Sequence, residues 1–368
     1  MTMLRYGIIG SGMMGQEHMR NITLLEDAQV TAFADPDPHM TAASFNLSGA
    51  TGFTDHREML TSGLCDAVVI AAPNHLHLPI LRDALQSDLP ILCEKPMGIS
   101  LRECEEIAAQ AAARAAPVWV AMEYRYMPPV ARLIEEVRKG TAGVPHMLSI
   151  REHRFPFLAK VDNWNRFAAQ TGGTLVEKCC HFFDLMRLIL QAEPVSVYAT
   201  GGMAVNHLDE DYAGAKPDIL DNAYVVVNFD NGSKAMLDLC MFAEGSEWQE
   251  MIALTGDKAR VDALVPGPAR FAPDGKERLS RVVISPRETK RPVVEEIEVD
   301  GRILHAGDHH GSTFYQHQRF QRMILEGGVP DVSVEDGLIA VAVGEAAERS
   351  VRTGEVIALP RLKSRAAA

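Results

Sequence analysis

The run Gly10-Ser11-Gly12-Met13-Met14-Gly15 constrains this chain more than any other feature of its 368 residues. It follows a short apolar strand, Tyr6-Gly7-Ile8-Ile9, and precedes a segment where Met19, Ile22 and Leu25 recur at helical spacing, so a helix is expected from Gly15 to about Leu25. Glycines at a strand-to-helix junction permit a tight turn and let an anionic group approach the helix N-terminus, whose N–H groups lack partners. A second strand is expected over 29–34. Asp35 ends it about 20 residues beyond the glycines, where a carboxylate can accept hydrogen bonds from the ribose hydroxyls of a dinucleotide. Pro36 and Asp37 follow, with no Arg or Lys to meet a 2'-phosphate, so the expected cofactor is NAD rather than NADP.

Further apolar strands are expected at 67–71, 91–93 and 118–121, with helical stretches such as 101–114 between them. Strands and helices alternating in this way predict a doubly wound parallel sheet, an α/β Rossmann domain over 1–125. Beyond Pro145 the texture changes. Longer β-type runs at 146–152, 195–200, 223–229, 235–242 and 294–299, and helices near 175–190, 311–325 and 334–352, predict an α+β domain over 126–368 dominated by antiparallel strands. Asp230-Asn231-Gly232 reads as a two-residue hairpin turn, because Asn-Gly supplies positive φ. The stretch 265–291, rich in Pro, Gly and charge, reads as a surface excursion.

Composition removes several classes of function. Lys and Arg number 36 against 49 Asp and Glu, a net charge of −13 that opposes binding to nucleic acid or an anionic membrane. Six cysteines show neither a CxxC pair nor zinc spacing, which predicts free thiols and no metal site. The N-terminus reads as lacking a signal peptide and no apolar run is long enough to span a bilayer, so a cytoplasmic location is expected.

Four motifs in order resemble the Gfo/Idh/MocA oxidoreductases: the glycine fingerprint, Ala72-Pro73-Asn74-His75-Leu76-His77 after the third expected strand, Glu94-Lys95-Pro96 after the fourth, and Gly172-Gly173 followed by His181 and Asp184. The resemblance implies a second domain built on a large open antiparallel sheet, a nicotinamide cofactor, and sugars or polyols as substrates. It implies that Ala72, Pro73, Asn74 and His77 join Gly10 to Gly15 and Asp35 in holding the cofactor, with Glu94 near the nicotinamide ribose. Lys95 would contact and polarise the reacting hydroxyl, and His181 would act as general acid and base. Glu177 stands where the family usually has Asp, and Cys179 where it usually has Gly. On a continuous helix Glu177, His181 and Asp184 would share one face, so a carboxylate could hold the imidazole tautomer.

Between the expected domains lies a basic stretch, Arg151-Glu152-His153-Arg154, Lys160, Asn163-Trp164-Asn165-Arg166 and Lys178. It reads either as a solvated loop anchored by Trp164 or as a pocket for a sugar bearing a sulfonate, carboxylate or phosphate, with His153, Arg154, Trp164, Asn165, Arg166 and Lys178 as contacts. Tyr124 and Arg125 follow the strand at 118–121, at the carboxyl edge where such sheets bind ligands. His305, His309, His310 and His317 read as site wall or surface, and Phe314, His317, Gln321, Ile324 and Leu325 as a packing stripe.

The leading expectation is an NAD-dependent dehydrogenase of a secondary hydroxyl on a sugar or polyol. The alternative, known among relatives of this family, is a redox-neutral glycosidase that oxidises a ring hydroxyl transiently, eliminates the aglycone, adds water and reduces the ketone; an anionic glycoside such as a sulfoquinovoside would suit the basic stretch. A non-enzymatic redox sensor fits less well, since it needs no proton acceptor. The bare sheet of the second domain predicts a homodimer or homotetramer.

Overall fold

The computed structural model describes residues 3–272 and 274–360. The chain divides into two compact units that are not contiguous. The first comprises residues up to Glu123, Lys160–Trp164 and Asp300–Val341; the second comprises Tyr124–Ala159, Asn165–Val299 and the residues from Ala342 on. The expected pair, 1–125 and 126–368, leaves no place in the first unit for 300–341. Those residues join it because the helix Ser312–Glu326 packs on the helix Met13–Ile22, with Phe320 fully buried and edge-on to Trp119. No contiguous reading of hydrophobic periodicity reveals such a return.

The first unit holds six parallel strands: β1 (Leu4–Ile9), β2 (Ala28–Ala34), β3 (Thr51–Phe53), β4 (Ala67–Ile70), β5 (Ile91–Cys93) and β6 (Val118–Val120). Their order is β3-β2-β1-β4-β5-β6. The order reverses between β1 and β4, which opens a crevice at their carboxyl ends. Ala67, Val68, Val69 and Ile70 of β4 are fully buried, as a central strand covered on both faces requires. The sequence reading missed β3, which is three residues long and lacks an apolar run.

The second unit is built on nine strands in the order β14-β13-β12-β11-β7-β10-β9-β8-β15. They are β7 (Pro145–His153), β8 (Pro194–Gly202), β9 (Asn222–Phe229), β10 (Lys234–Cys240), β11 (Glu250–Gly256), β12 (Ala259–Val265), β13 (Ser280–Pro286), β14 (Val293–Ile297) and β15 (Ile357–Ala358). Only β7 with β10 is parallel, so the sheet is mixed and mostly antiparallel. The stretch 265–291 is not merely a surface excursion, because β13 lies within it and pairs on both sides. At the turn between β9 and β10 only Gly232 has positive φ (+83°), and Phe229 and Ser233 are bonded across a four-residue connection, so the turn is wider than the expected two residues. Among the described residues, no helix is long and apolar enough to cross a membrane.

Candidate active site

The glycine loop meets the demands of a dinucleotide cradle. Gly10 has φ +84°, and a Cβ there would stand 2.6 Å from the Ala72 backbone nitrogen. At Gly15 a Cβ would lie 2.1 Å from the Gly10 carbonyl, so the helix can start this close to β1 only without a side chain. A Cβ at Gly12 would meet nothing within 4 Å, which leaves that side of the loop open for a pyrophosphate. Asp35 closes the loop from β2: its Oδ2 accepts from the Ser11 N–H (2.7 Å) and hydroxyl (3.1 Å), and Oδ1 accepts from the Asp37 N–H (2.9 Å). The Asp35 carboxylate, with lone pairs to spare, can also take ribose hydroxyls. Met13 and Met14 begin the helix, and Met13 is exposed. Asn74 adds a buried amide nitrogen with no partner among the described residues. These residues fit NAD, which supplies a hydride acceptor when bound.

His77 has a different place from the expected one. It is fully buried, with Nδ1 2.8 Å from the Pro96 carbonyl and Nε2 2.9 Å from the Ala72 carbonyl. It ties the loop carrying Ala72, Pro73 and Asn74 to the Glu94-Lys95-Pro96 turn, so it shapes both and lies behind them. Glu94 accepts from the Lys95 N–H through Oε2 (3.0 Å). Trp164, with His75 6.2 Å away edge-on and the Lys160 ammonium 4.6 Å above its ring, belongs to this first unit. The expected basic stretch is therefore divided between the two units.

In the second unit His181, in the first turn of the helix Cys180–Leu190, stacks on Tyr124 with ring centroids 4.1 Å apart and planes 4° from parallel. The Tyr124 hydroxyl is bonded to the Lys178 ammonium, which also pairs with Glu152 at 2.9 Å. Beside them Arg125 donates to Asp184 at 2.6 Å, with both side chains nearly buried. Tyr124, His181, Lys178, Arg125 and Asp184 thus form one interior group. The expected continuous helix is broken: Glu177 ends the short helix Thr174–Glu177, and Cys179 caps the next. Glu177 is buried at the end of the short helix, and the break falls between it and His181.

The other expected substrate residues are mostly neutralised by partners of their own. Arg166 pairs with Glu210 at 2.8 Å, and His153 lies 3.1 Å from Asp238. Arg154 donates to the Phe155 carbonyl and stands 3.6 Å from Glu152. Asn165 is fully buried and donates to the Leu158 carbonyl. Glu210, receiving bonds from His207, Tyr212 and Arg166 that outweigh its partial burial, is lowered to about 2. Asp184, Glu210 and Asp238, distant in sequence, and Glu152, within the stretch itself, are these partners.

One cluster escaped the sequence reading. In the first unit Thr313 Oγ1 bridges Glu17 Oε1 (2.8 Å) and Glu123 Oε2 (2.6 Å), Ser312 donates to Glu123 (3.1 Å), and His309 Nδ1 lies 3.2 Å from Glu123. Burial, then the charge of Glu123, raise Glu17 to about 7. Candidate metal-ligating atoms of Glu17, Glu123 and His309 lie within 4.8 Å of one another, whereas the sequence offered no metal spacing. The only sequence signal was the unusual density of histidine around 305–317. In the expected packing stripe, His317 is buried and Leu325 is half exposed.

Comparison with known proteins matches residues 4–122 to the oxidoreductase family Gfo/Idh/MocA, NAD-binding Rossmann fold, and residues 134–359 to that family's C-terminal alpha/beta domain. The chain is 25% identical over 363 residues to myo-inositol 2-dehydrogenase of Thermotoga maritima, covering 96% of this chain and 100% of that one. It is 29% identical over 235 residues to an uncharacterized oxidoreductase, YrbE, of Bacillus subtilis; that match spans 63% of this chain and 65% of the relative. Its fold is shared with an oxidoreductase from Agrobacterium radiobacter crystallised with NAD+, L-tartaric acid and magnesium, at a TM-score of 0.80 and 19% identity, over 97% of this chain and 98% of that one. With both halves matched and the glycine loop built as NAD requires, this chain belongs to the Gfo/Idh/MocA family of NAD-binding oxidoreductases.

Proposed function

We propose that this protein is an NAD-dependent dehydrogenase of a secondary hydroxyl on a neutral sugar or polyol. Hydride removal from an alcohol needs a group to polarise the hydroxyl and a group to take its proton. Lys95 is assigned the first role and His181 the second. The observation that carries this reading is the buried stack of His181 on Tyr124, which fixes the imidazole plane while Lys178 holds the phenol. Glu177 is not assigned a proton-transfer role. The carboxylate partners of Lys178, Arg166 and Arg125 favour a neutral substrate over an anionic one, since each cation is already neutralised. Myo-inositol, the substrate named for a full-length relative, is the first compound to test. NADH formation that depends on both Lys95 and His181 supports the reading, and turnover surviving either alanine variant refutes it.

The redox-neutral glycosidase reading is favoured by one observation. It needs an acid or base beyond Lys95 and His181, and a tyrosine hydroxyl bonded to a lysine ammonium is such a group. NAD-dependent release of an aglycone without net NADH would establish it.

The second unit's sheet also exposes Met147, Tyr198, Tyr224, Val226 and Met236 on adjoining strands, and we assign that face to self-association as a homodimer or homotetramer. Six free cysteines suit a reducing cytoplasm.

A further inference from the structure

Behind the Glu94-Lys95-Pro96 turn, in the first unit, lie two fully buried histidines that no part of the proposed chemistry uses. His18, on the helix Met13–Ile22, has Nε2 3.0 Å from Glu94 Oε1 and Nδ1 2.8 Å from His317 Nε2. His317 stands edge-on to Tyr6, with centroids 5.7 Å apart, and its Nδ1 has no hydrogen-bond partner among the described residues.

Counting protons restricts the states of this chain of groups. A hydrogen bond between two imidazole nitrogens needs one proton, and an ionised Glu94 needs a second from His18 Nε2. The proton shared at the nitrogen pair resides either on His18, which is then an imidazolium paired with Glu94 while a neutral His317 carries its own proton on Nδ1, or on His317 Nε2, which leaves His18 neutral and makes His317 the imidazolium unless Nδ1 has released its proton. The charge next to Glu94 therefore changes while every heavy atom stays in place.

We propose that His18 and His317 are positioning residues of the cofactor site, a buried pair that orients the Glu94 carboxylate and thereby fixes the turn that carries Lys95. Glu94 is gripped at one oxygen by His18 and at the other by the Lys95 N–H, so its orientation and the Lys95 backbone are set together. Besides each other, the pair faces four charged or titratable groups: Glu94 after β5, Glu17 on His18's own helix, Glu123 after β6 and Tyr6 of β1. Burial opposes a charge on His18, but the Glu94 hydrogen bond and the three carboxylates outweigh it and raise its pKa. Burial, then the charge of His18, drive His317 well below the usual imidazole value. His18 is thus the cationic member and His317 the neutral one.

This inference rests on the assignment of Lys95 and the cofactor to one site, and its test uses NADH alone. NADH affinity is measured by fluorescence for wild type, His18→Gln, His18→Leu and His317→Leu, beside nitrogen-15 spectra of histidine-labelled protein. His18→Gln, which keeps a donor toward Glu94, should bind within about threefold of wild type. His18→Leu, which removes that donor, should bind about tenfold more weakly or worse. The His18 nitrogen-15 signals should respond to NADH and to Glu94→Gln. If His18→Leu does not fold, His317→Leu still decides, because it releases His18 from its partner and should weaken NADH binding. His18→Leu and His18→Gln both matching wild type, or His18 signals that do not respond to NADH, would overturn the proposal. No polyol enters the assay, so failure of polyol turnover and failure of this inference are separate results.

Discussion

His181 lies flat against Tyr124, 4.1 Å between ring centroids, while the hydroxyl of the same tyrosine holds Lys178. One side chain thus orients an imidazole through its face and an ammonium through its edge. Tyr124→Phe keeps the stack and removes the hydroxyl. If the phenol only positions its neighbours, kcat should fall by about tenfold, the equivalent of one hydrogen bond, and if it transfers a proton, by about 10²- to 10⁴-fold. Steady-state kinetics with myo-inositol as substrate, set against an unchanged thermal melt, separate the two.

Arg125 and Asp184 form a buried pair, 2.6 Å from Nε to Oδ2. Removing one partner strands the other charge in the interior, which costs about 3–5 kcal/mol. Urea denaturation of Arg125→Ala and Asp184→Ala should show a loss of that order. The double variant Arg125→Met/Asp184→Leu should recover most of it, since an apolar pair of similar volume needs no compensation. Additive losses in the double variant would contradict this account.

Glu17 provides a stability signal that depends on pH. Its value of about 7 in the folded chain lies above the ordinary 4.5, so the folded state keeps a proton that the unfolded state releases. The stabilising contribution of that proton is complete below the unfolded value and is lost as pH rises through 7. Glu17→Gln should therefore gain stability relative to wild type between pH 5 and pH 8, by about 1–3 kcal/mol. Denaturant melts at the two pH values check the sign, and a gap that narrows with rising pH would contradict it.

Much of the first unit was legible because its signals are local. The glycine loop, Asp35 and the Glu94-Lys95-Pro96 turn each sit beside a short apolar strand, and β5 spans the residues expected of it. What could not be read depends on residues far apart in the chain. Thr313 reaches Glu17 across 296 residues and Glu123 across 190, and His317 meets His18 across 299. The break before Cys180 was missed because the apolar pattern of 175–190 runs through it without a Pro or Gly. In the basic stretch the cations are close in sequence, while Glu210, which pairs with Arg166, and Asp238, which lies beside His153, are many residues away and could not be read as their partners.

The exposed face of the nine-stranded sheet predicts an assembly. Light scattering should give a mass of two or four 40.3 kDa chains. Val226→Glu, on β9 opposite Met236 of β10, should shift it toward one chain without unfolding the protein, because Val226 is already 41% exposed in a single chain. A wild-type mass of one chain would contradict the assignment.

The central claim is that Lys95 and His181 handle the proton of a sugar or polyol hydroxyl. The most direct measurement follows NADH and released aglycone together, with neutral and anionic sugars and their aryl glycosides, for wild type, Lys95→Ala and His181→Ala. The account predicts net NADH from a neutral sugar or polyol, reduced by about 10²-fold or more in each variant while NADH still binds. NADH formation that survives both substitutions would contradict it.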